Sequence, residues 1–187
     1  MTDDSGPRTL LVDACVFITL ADLGTLDVLR DTDGRATMPQ TVVEEITSEP
    51  AERELDRALD DWIVSSTLIR NETAVDGWDE HLETARTHLG RASDPEEWGG
   101  DVPLLAAALS HERSVVITDD KPLRKTCNIL SIPVSGTIGL LIRAVECGDL
   151  GASEAKQTLG AMDEVGARLS VRLVRRAERL IDEAAET

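Results

Sequence analysis

The chain has 187 residues, 41% of them apolar, enough to bury one sizeable core. No run approaches the roughly 18 uninterrupted apolar residues of a membrane span, and the N-terminal MTDDSGPR lacks an apolar signal-peptide stretch, which argues for a cytoplasmic protein with no membrane contact. Acids outnumber bases 36 to 19, a formal net charge of −17, so no global basic patch announces a nucleic-acid partner.

Thr9-Leu-Leu-Val12 is an apolar run ending at Asp13, the pattern of a buried parallel strand. Phe17, Leu20, Leu23, Leu26 and Leu29 recur at helical spacing, which predicts a helix over 16–29 closed by Gly34. Ala36–Met38 predicts a brief strand, and Pro39 marks the start of a helix over 41–46. Another helix is expected over 49–59, then an edge or linking strand at Trp62–Val64. Residues 70–99 are polar, anchored by Trp78, Leu82 and Leu89, and read as a helix plus a long loop ending in Gly99-Gly100. From Asp101 a strongly apolar helix runs through Leu109. Ser114–Thr118 is the clearest strand and ends at Asp119-Asp120; Ile132–Val134 is a short last strand. After Gly136 the pattern is helical, with one apolar stripe at Ile138, Leu141, Ile142 and Val145. A second stripe follows at Leu169, Leu173, Ala177, Leu180 and Ala184.

Strands alternating with helices predict an α/β fold: three layers, α/β/α, with a mostly parallel central sheet and a helical C-terminal extension. With no repeats, linker or compositional break, residues 1–187 read as a single domain, with a core over about 8–135 and C-terminal helices over about 136–185. Cys15, Cys127 and Cys147 are widely spaced and form no zinc-like cluster with His81, His88 and His111, so they read as reduced thiols. Only Lys121, Lys125 and Lys156 are lysines. At molar salt the Debye length falls to roughly 3 Å and screens the acidic surface, so the charge reads as adaptation to a salty cytoplasm such as that of halophilic archaea.

Four acids carry the chemistry. Asp13 and Asp120 follow strands, and ligand sites in open α/β sheets lie outside the carboxyl ends of strands. Asp101 opens a helix behind Gly99-Gly100, with Pro103 tolerated in the first turn. Glu45 lies in the helix after the second strand. Each has an ordinary alternative: Asp101 as a capping or dipole residue, Glu44 and Glu45 as helix surface, Asp119-Asp120 as the start of a helix. Asp13 is the hardest to explain away, because a carboxylate directly after an apolar strand is desolvated without a partner. Carboxylates about 4 Å apart repel by roughly 4 kcal/mol per pair at an effective dielectric of 20. One or two Mg²⁺ or Mn²⁺ ions reverse that sign, and these hard cations prefer oxygen donors. Such an ion orients a phosphodiester and activates a water for in-line attack, so metal-assisted hydrolysis is the expected reaction.

The order Leu-Leu-Val-Asp13, Pro39-x-x-Val42-x-x-Glu45, Gly100-Asp101 and Val-Ile-Thr-Asp119-Asp120 resembles the acidic motif series of PIN domains, a family that includes VapC-type toxin ribonucleases. The segment from Ile132 through Gly136-Thr137-Ile-Gly139 to Ala144 resembles a prokaryotic subgroup of predicted nucleic-acid-binding PIN proteins. The resemblance implies a PIN-like fold over residues 8–184. It implies that Asp13, Glu45, Asp101 and Asp120 are catalytic metal ligands, with Asp119 as an auxiliary ligand. Thr118 is placed to bond a carboxylate or a metal water, and Arg124 and Lys125 to contact a phosphate or to be plain surface charge. Two departures stand out: Pro103 replaces a second acid often found two residues after the Gly-acid pair, and Cys15 replaces a small polar residue.

The implied function is a Mg²⁺- or Mn²⁺-dependent endoribonuclease, a toxin of a toxin–antitoxin pair, with RNA as substrate, a small antitoxin protein as partner and a homodimer as assembly. The alternative is a catalytically weak or inactive PIN module that binds nucleic acid or a protein. A receiver-like phosphoacceptor is a third reading, weakened by the lack of a suitable lysine after a late strand. Arg168, Arg172, Arg175, Arg176 and Arg179 lie opposite the last apolar stripe, as a solvated face or as an RNA- or partner-contacting ridge.

Overall fold

In the computed structural model, residues 8–66, 77–167 and 169–186 are described. The strands are β1 (Thr9–Val12), β2 (Arg35–Pro39), β3 (Val64–Ser66), β4 (Ser114–Ile117) and β5 (Val134–Ser135). They form one sheet in the order β3-β2-β1-β4-β5, and every pairing is parallel. Leu10, Leu11 and Val12 of β1 are buried, as a strand covered on both faces requires. Its register places Leu11 opposite Val116 and Val12 opposite Ile117.

The helices are α1 (Ala14–Asp22), α2 (Asp27–Arg30), α3 (Gln40–Glu45), α4 (Ala51–Asp61), α5 (Trp78–Leu89), α6 (Asp101–Ser110), α7 (Lys121–Ile129), α8 (Thr137–Cys147), α9 (Ala152–Ala161) and α10 (Val171–Ala185). Right-handed crossovers send the β1–β2 and β2–β3 connections to one face and the β3–β4 and β4–β5 connections to the other. Accordingly α1 packs with α3 and α4, whereas α6 packs on β1, β2 and β4 and carries α5 and α7. The helix α8 joins α1 and α2, and α9 and α10 pack against it. This is the expected α/β/α arrangement with its helical extension, and the sheet is parallel throughout. No described helix is long and apolar enough to cross a membrane.

Local differences from the sequence expectation have identifiable causes. The single helix expected over 16–29 is two, because Gly24 takes a left-handed φ of 66° and ends α1 before α2 begins. The last strand starts at Val134 rather than Ile132: Pro133 has no N–H, and only its carbonyl joins the ladder, accepting from Val116 N–H at 2.9 Å. The strand expected at Trp62–Val64 lies two residues later, at Val64–Ser66, with Ile63 buried just before it. Of the polar stretch 70–99, α5 and a 3₁₀ turn at Pro95–Glu97 are seen; 70–76 lie outside the described residues.

Gly34 fixes the entry into β2. Its φ is +143°, and a Cβ there would lie 2.8 Å from Leu10 Cγ and 2.9 Å from the Arg8 carbonyl oxygen. Next to it Arg35 N–H bonds that same carbonyl at 2.7 Å, which starts the β1–β2 ladder. A side chain at 34 therefore collides with backbone in a conformation L-residues rarely adopt. Gly34→Ala is expected to lower unfolding stability by about 1–3 kcal/mol, read as a lower urea midpoint with unchanged slope.

Candidate metal centre

Strand order reverses at the centre of the sheet, with β2 and β3 on one side of β1 and β4 and β5 on the other. The crevice at the carboxyl ends of β1 and β4 is the switch point where open α/β sheets bind ligands. Asp13 leaves the end of β1, Thr118 to Asp120 leave the end of β4, Glu45 ends α3, and Asp101 opens α6.

Asp13 is 9% exposed, and two neutral donors hold the same oxygen. Thr118 Oγ1 donates to its Oδ2 at 2.5 Å and Cys15 Sγ at 3.0 Å. Burial raises the Asp13 pKa above the ordinary carboxylate value; the two hydrogen bonds oppose this, and the Asp120 charge adds to it. Burial and the Asp13 charge push the Cys15 thiol up to about 12, so Cys15 stays protonated and acts as a donor.

Asp120 serves two purposes at once. Its Oδ1 accepts from Leu123 N–H at 2.8 Å and caps α7, which is the ordinary helix-start role. Its own N–H donates to Thr118 Oγ1 at 3.0 Å, so one hydroxyl ties both strand-end acids together. Asp119 turns the other way. Thr137 N–H and Oγ1 bond its two oxygens at 3.1 and 2.6 Å, which fastens the end of β4 to the start of α8. A Cβ on Gly136 would lie 2.2 Å from Asp119 Oδ1, so glycine there keeps that contact open.

Glu45 is exposed as a residue, but its carboxylate end is tucked under the turn before α6. Gly100 N–H donates to its Oε1 at 2.6 Å. A Cβ on Gly100 would come within 2.7 Å of Val42 Cγ2 and 3.1 Å of Glu45 Oε2, so the close approach needs glycine. Desolvation raises the Glu45 pKa; the Gly100 bond and the Arg91 charge lower it, and the charges of Asp13 and Asp101 raise it. Asp101 receives Arg91 on Oδ2, from Nε at 3.0 Å and Nη2 at 2.5 Å. Its Oδ1 is buried with no hydrogen-bond partner among the described residues.

The four acids therefore share one field: Asp13 feels Asp120, Glu45 feels Asp13 and Asp101, and Arg91 feels Asp101, Asp120 and Glu45. Among the described residues, however, no three His, Cys, Asp or Glu side chains stand as a ready ligand group. The donor chemistry fits a hard divalent cation: carboxylate oxygens without histidine, pKa values raised at Asp13 and Glu45, and an orphaned buried oxygen on Asp101. Closing a ligand set takes side-chain movement, with Arg91 the group now occupying Asp101.

Of the remaining sequence candidates, Thr118 and Arg124 are scaffold contacts in this geometry. Thr118 is buried and positions Asp13. Arg124 Nη1 donates to the carbonyls of Thr118 at 2.8 Å and Ser135 at 2.7 Å, tying β4 to β5. Lys125 is exposed. Arg91 is absent from the sequence candidates. Its signal there is faint: a basic residue directly after Gly90, the left-handed stop of α5.

Residues 9–183 match the family described as PIN domain. The chain belongs to the PIN-domain family. PIN domains are nuclease folds that act on nucleic acid and generally use divalent metal ions, in keeping with the acid crevice. No curated protein matches the chain.

Raised carboxylate pKa values have a defined consequence for stability. With folded pKa values above the unfolded ones, Asp13 and Glu45 weaken the metal-free fold at neutral pH. That penalty is relieved as pH falls through their folded pKa values toward the ordinary carboxylate range. Carboxyl-resolved NMR is expected to show both titrating above ordinary values. Asp120→Asn, which keeps the cap, is expected to lower the Asp13 pKa and leave Glu45 the less affected. An Asp13 pKa indifferent to that substitution contradicts the shared field.

Proposed function

We propose that this PIN domain is a metal-dependent ribonuclease that hydrolyses RNA phosphodiester bonds. The observation that carries the reading is the buried Asp13 carboxylate at the sheet's switch point, locked by Thr118 and facing Asp120 and Glu45. An acid held there is a liability unless a cation or a reaction uses it. Asp13, Glu45, Asp101 and Asp120 would hold Mg²⁺ or Mn²⁺, which when bound supplies charge neutralisation on the phosphate and an activated water.

The chain's own groups prepare that chemistry. Thr118 and Cys15 fix the Asp13 carboxylate through Oδ2. Gly100 fixes Glu45 through Oε1. Arg91 neutralises Asp101 and stands close enough to contact a phosphate once that carboxylate is drawn away. Asp119, through Thr137, keeps the β4 corner in place, and Lys125 offers an exposed phosphate contact one residue beyond Arg124. The whole chain is taken to act as one unit, because a single buried cluster joins the sheet to Leu141, Ala177 and Ile181 of the C-terminal helices.

The biological reading that goes with this is a toxin held by a small antitoxin, working as a homodimer in the cytoplasm of a halophilic archaeon; its support is the motif resemblance and the net charge of −17. A non-catalytic PIN module is favoured by one specific observation: the Arg91–Asp101 pair sits where a ligand set would close, next to Pro103.

RNA cleavage with Mn²⁺ or Mg²⁺ at high potassium separates the two. Wild type is expected to cleave, chelation to stop it, and Asp13→Asn or Asp120→Asn each to lower the rate by at least about a hundredfold, beyond the usual effect of losing an outer partner of a metal ligand. Cleavage that survives both substitutions rules out this centre. Metal binding without cleavage of any RNA points to the module.

A further inference from the structure

In a chain with 36 acids for 19 bases, arginines should find partners, and among the described residues six outside the last helix pair with an acid. Arg30 pairs with Asp27 and Asp31, Arg53 with Glu49, Arg57 with Glu54, Arg86 with Glu83, Arg91 with Asp101 and Arg143 with Glu146. On α10 the pattern breaks. Arg172, Arg175 and Arg176 make no ion pair or side-chain hydrogen bond among the described residues, and Arg179 reaches Glu183 at 3.7 Å. Arg168, the fifth of the set, lies outside the described residues.

The spacing i, i+3, i+4, i+7 puts these four on one face, spanning roughly 10 Å. The opposite face of α10 is buried through Ala177, Ile181 and Ala184. Like charges at that spacing weaken a helix, and Glu178 is the one acid among them from 171 to 179. An exposed stripe in which three of four arginines have no ion pair among the described residues is thus a local exception on so acidic a protein.

The stripe also leads somewhere. Arg176 lines both the open arginine face and a second groove of about 520 Å³ between α8 and α10. That groove is also walled by Lys121, Arg124 and Asp119, at the corner that carries Asp120. Arg176 at one end and Lys121 at the other thus put cationic side chains along a largely apolar groove between the β4 corner and the exposed face of α10.

We propose that this face is a phosphate-binding ridge that grips the RNA backbone several nucleotides from the bond that is cut. The proposal rests on the reading of the acid crevice as an RNA-cleaving centre. Guanidinium forks bind phosphate oxygens in pairs and are less strongly hydrated than ammonium groups, which suits recognition in a salty medium. An acidic protein segment has the matching charge too. Arg176, shared between the exposed face and the groove that Lys121 also lines, favours the strand.

The test compares wild type with Arg172→Gln/Arg175→Gln/Arg176→Gln/Arg179→Gln. Fluorescence anisotropy with labelled RNAs of about 4 and about 16 nucleotides, lengths that bracket single-strand sites, is read in EDTA so that no cleavage intervenes. Potassium is varied only where circular dichroism is unchanged. The ridge predicts at least about a tenfold loss of affinity for the long RNA in the variant. The salt slope should shrink by roughly 0.7 for each phosphate the variant no longer neutralises. Metal-dependent cleavage of the short RNA should be unchanged.

Equal affinity of both proteins for the long RNA overturns the proposal. So does a variant that loses self-association in light scattering yet binds the long RNA as before, which would assign the face to a protein contact. If the quadruple variant does not fold, Arg175→Gln/Arg179→Gln and the four-lysine counterpart carry the comparison, with partial loss expected in both and the salt slope kept near wild type only in the second. Ridge-dependent binding without cleavage of any RNA would sink the ribonuclease reading and leave the ridge standing.

Discussion

The structure depends on placing a carboxylate where water is scarce and other carboxylates are near. Asp13 is buried at the end of the central strand, with the Asp120 charge close by. Such an arrangement is unfavourable in isolation, and everything around it lessens the cost. Thr118 uses one hydroxyl for both acids, accepting from the Asp120 backbone and donating to Asp13. Cys15 stays a thiol because the same burial and charge raise its pKa, and so it too donates. Gly100 offers its N–H to Glu45, and Arg91 sets a positive charge against Asp101.

What the surroundings do not do is neutralise the cluster. Among the described residues Arg91 is the one cation bonded to any of the four acids, while Asp13 and Glu45 are held by neutral donors. Lysine or arginine beside Asp13 would have removed the repulsion at the cost of closing the crevice to a cation. The fold keeps the residual negative potential, and Asp101 keeps a buried oxygen without a partner among the described residues. Both fit the divalent cation proposed for this crevice.

Much of this is legible in the sequence, and the reason is period. An apolar run that stops at an acid marks a strand end wherever it occurs, so Asp13 and the Asp119-Asp120 pair can be placed without any relative. Glu45 can be preferred to Glu44 only through the PIN motif spacing, because both sit on an exposed helix edge. Asp119 and Asp120 are harder to tell apart. Successive side chains leaving a strand alternate in direction, so Thr118 and Asp119 face opposite ways. That alternation, applied past the end of β4, points Asp119 toward α8. Arg91 is out of reach: its partner is ten residues on, across a turn whose shape depends on Gly99 and Gly100 packing over Glu45. The split of the first helix, by contrast, is signalled by Gly24 but masked by the apolar spacing that continues to Leu29.

The central claim is that these four carboxylates form one divalent-cation centre. A crystal structure grown with Mn²⁺ and phased to show its anomalous signal tests it most directly. The account predicts manganese density bounded by Asp13, Asp120 and Glu45, with Asp101 turned toward it and Arg91 no longer bonded to Asp101 Oδ2. Manganese bound elsewhere, with the Arg91–Asp101 pair intact and the crevice holding only water, would contradict it.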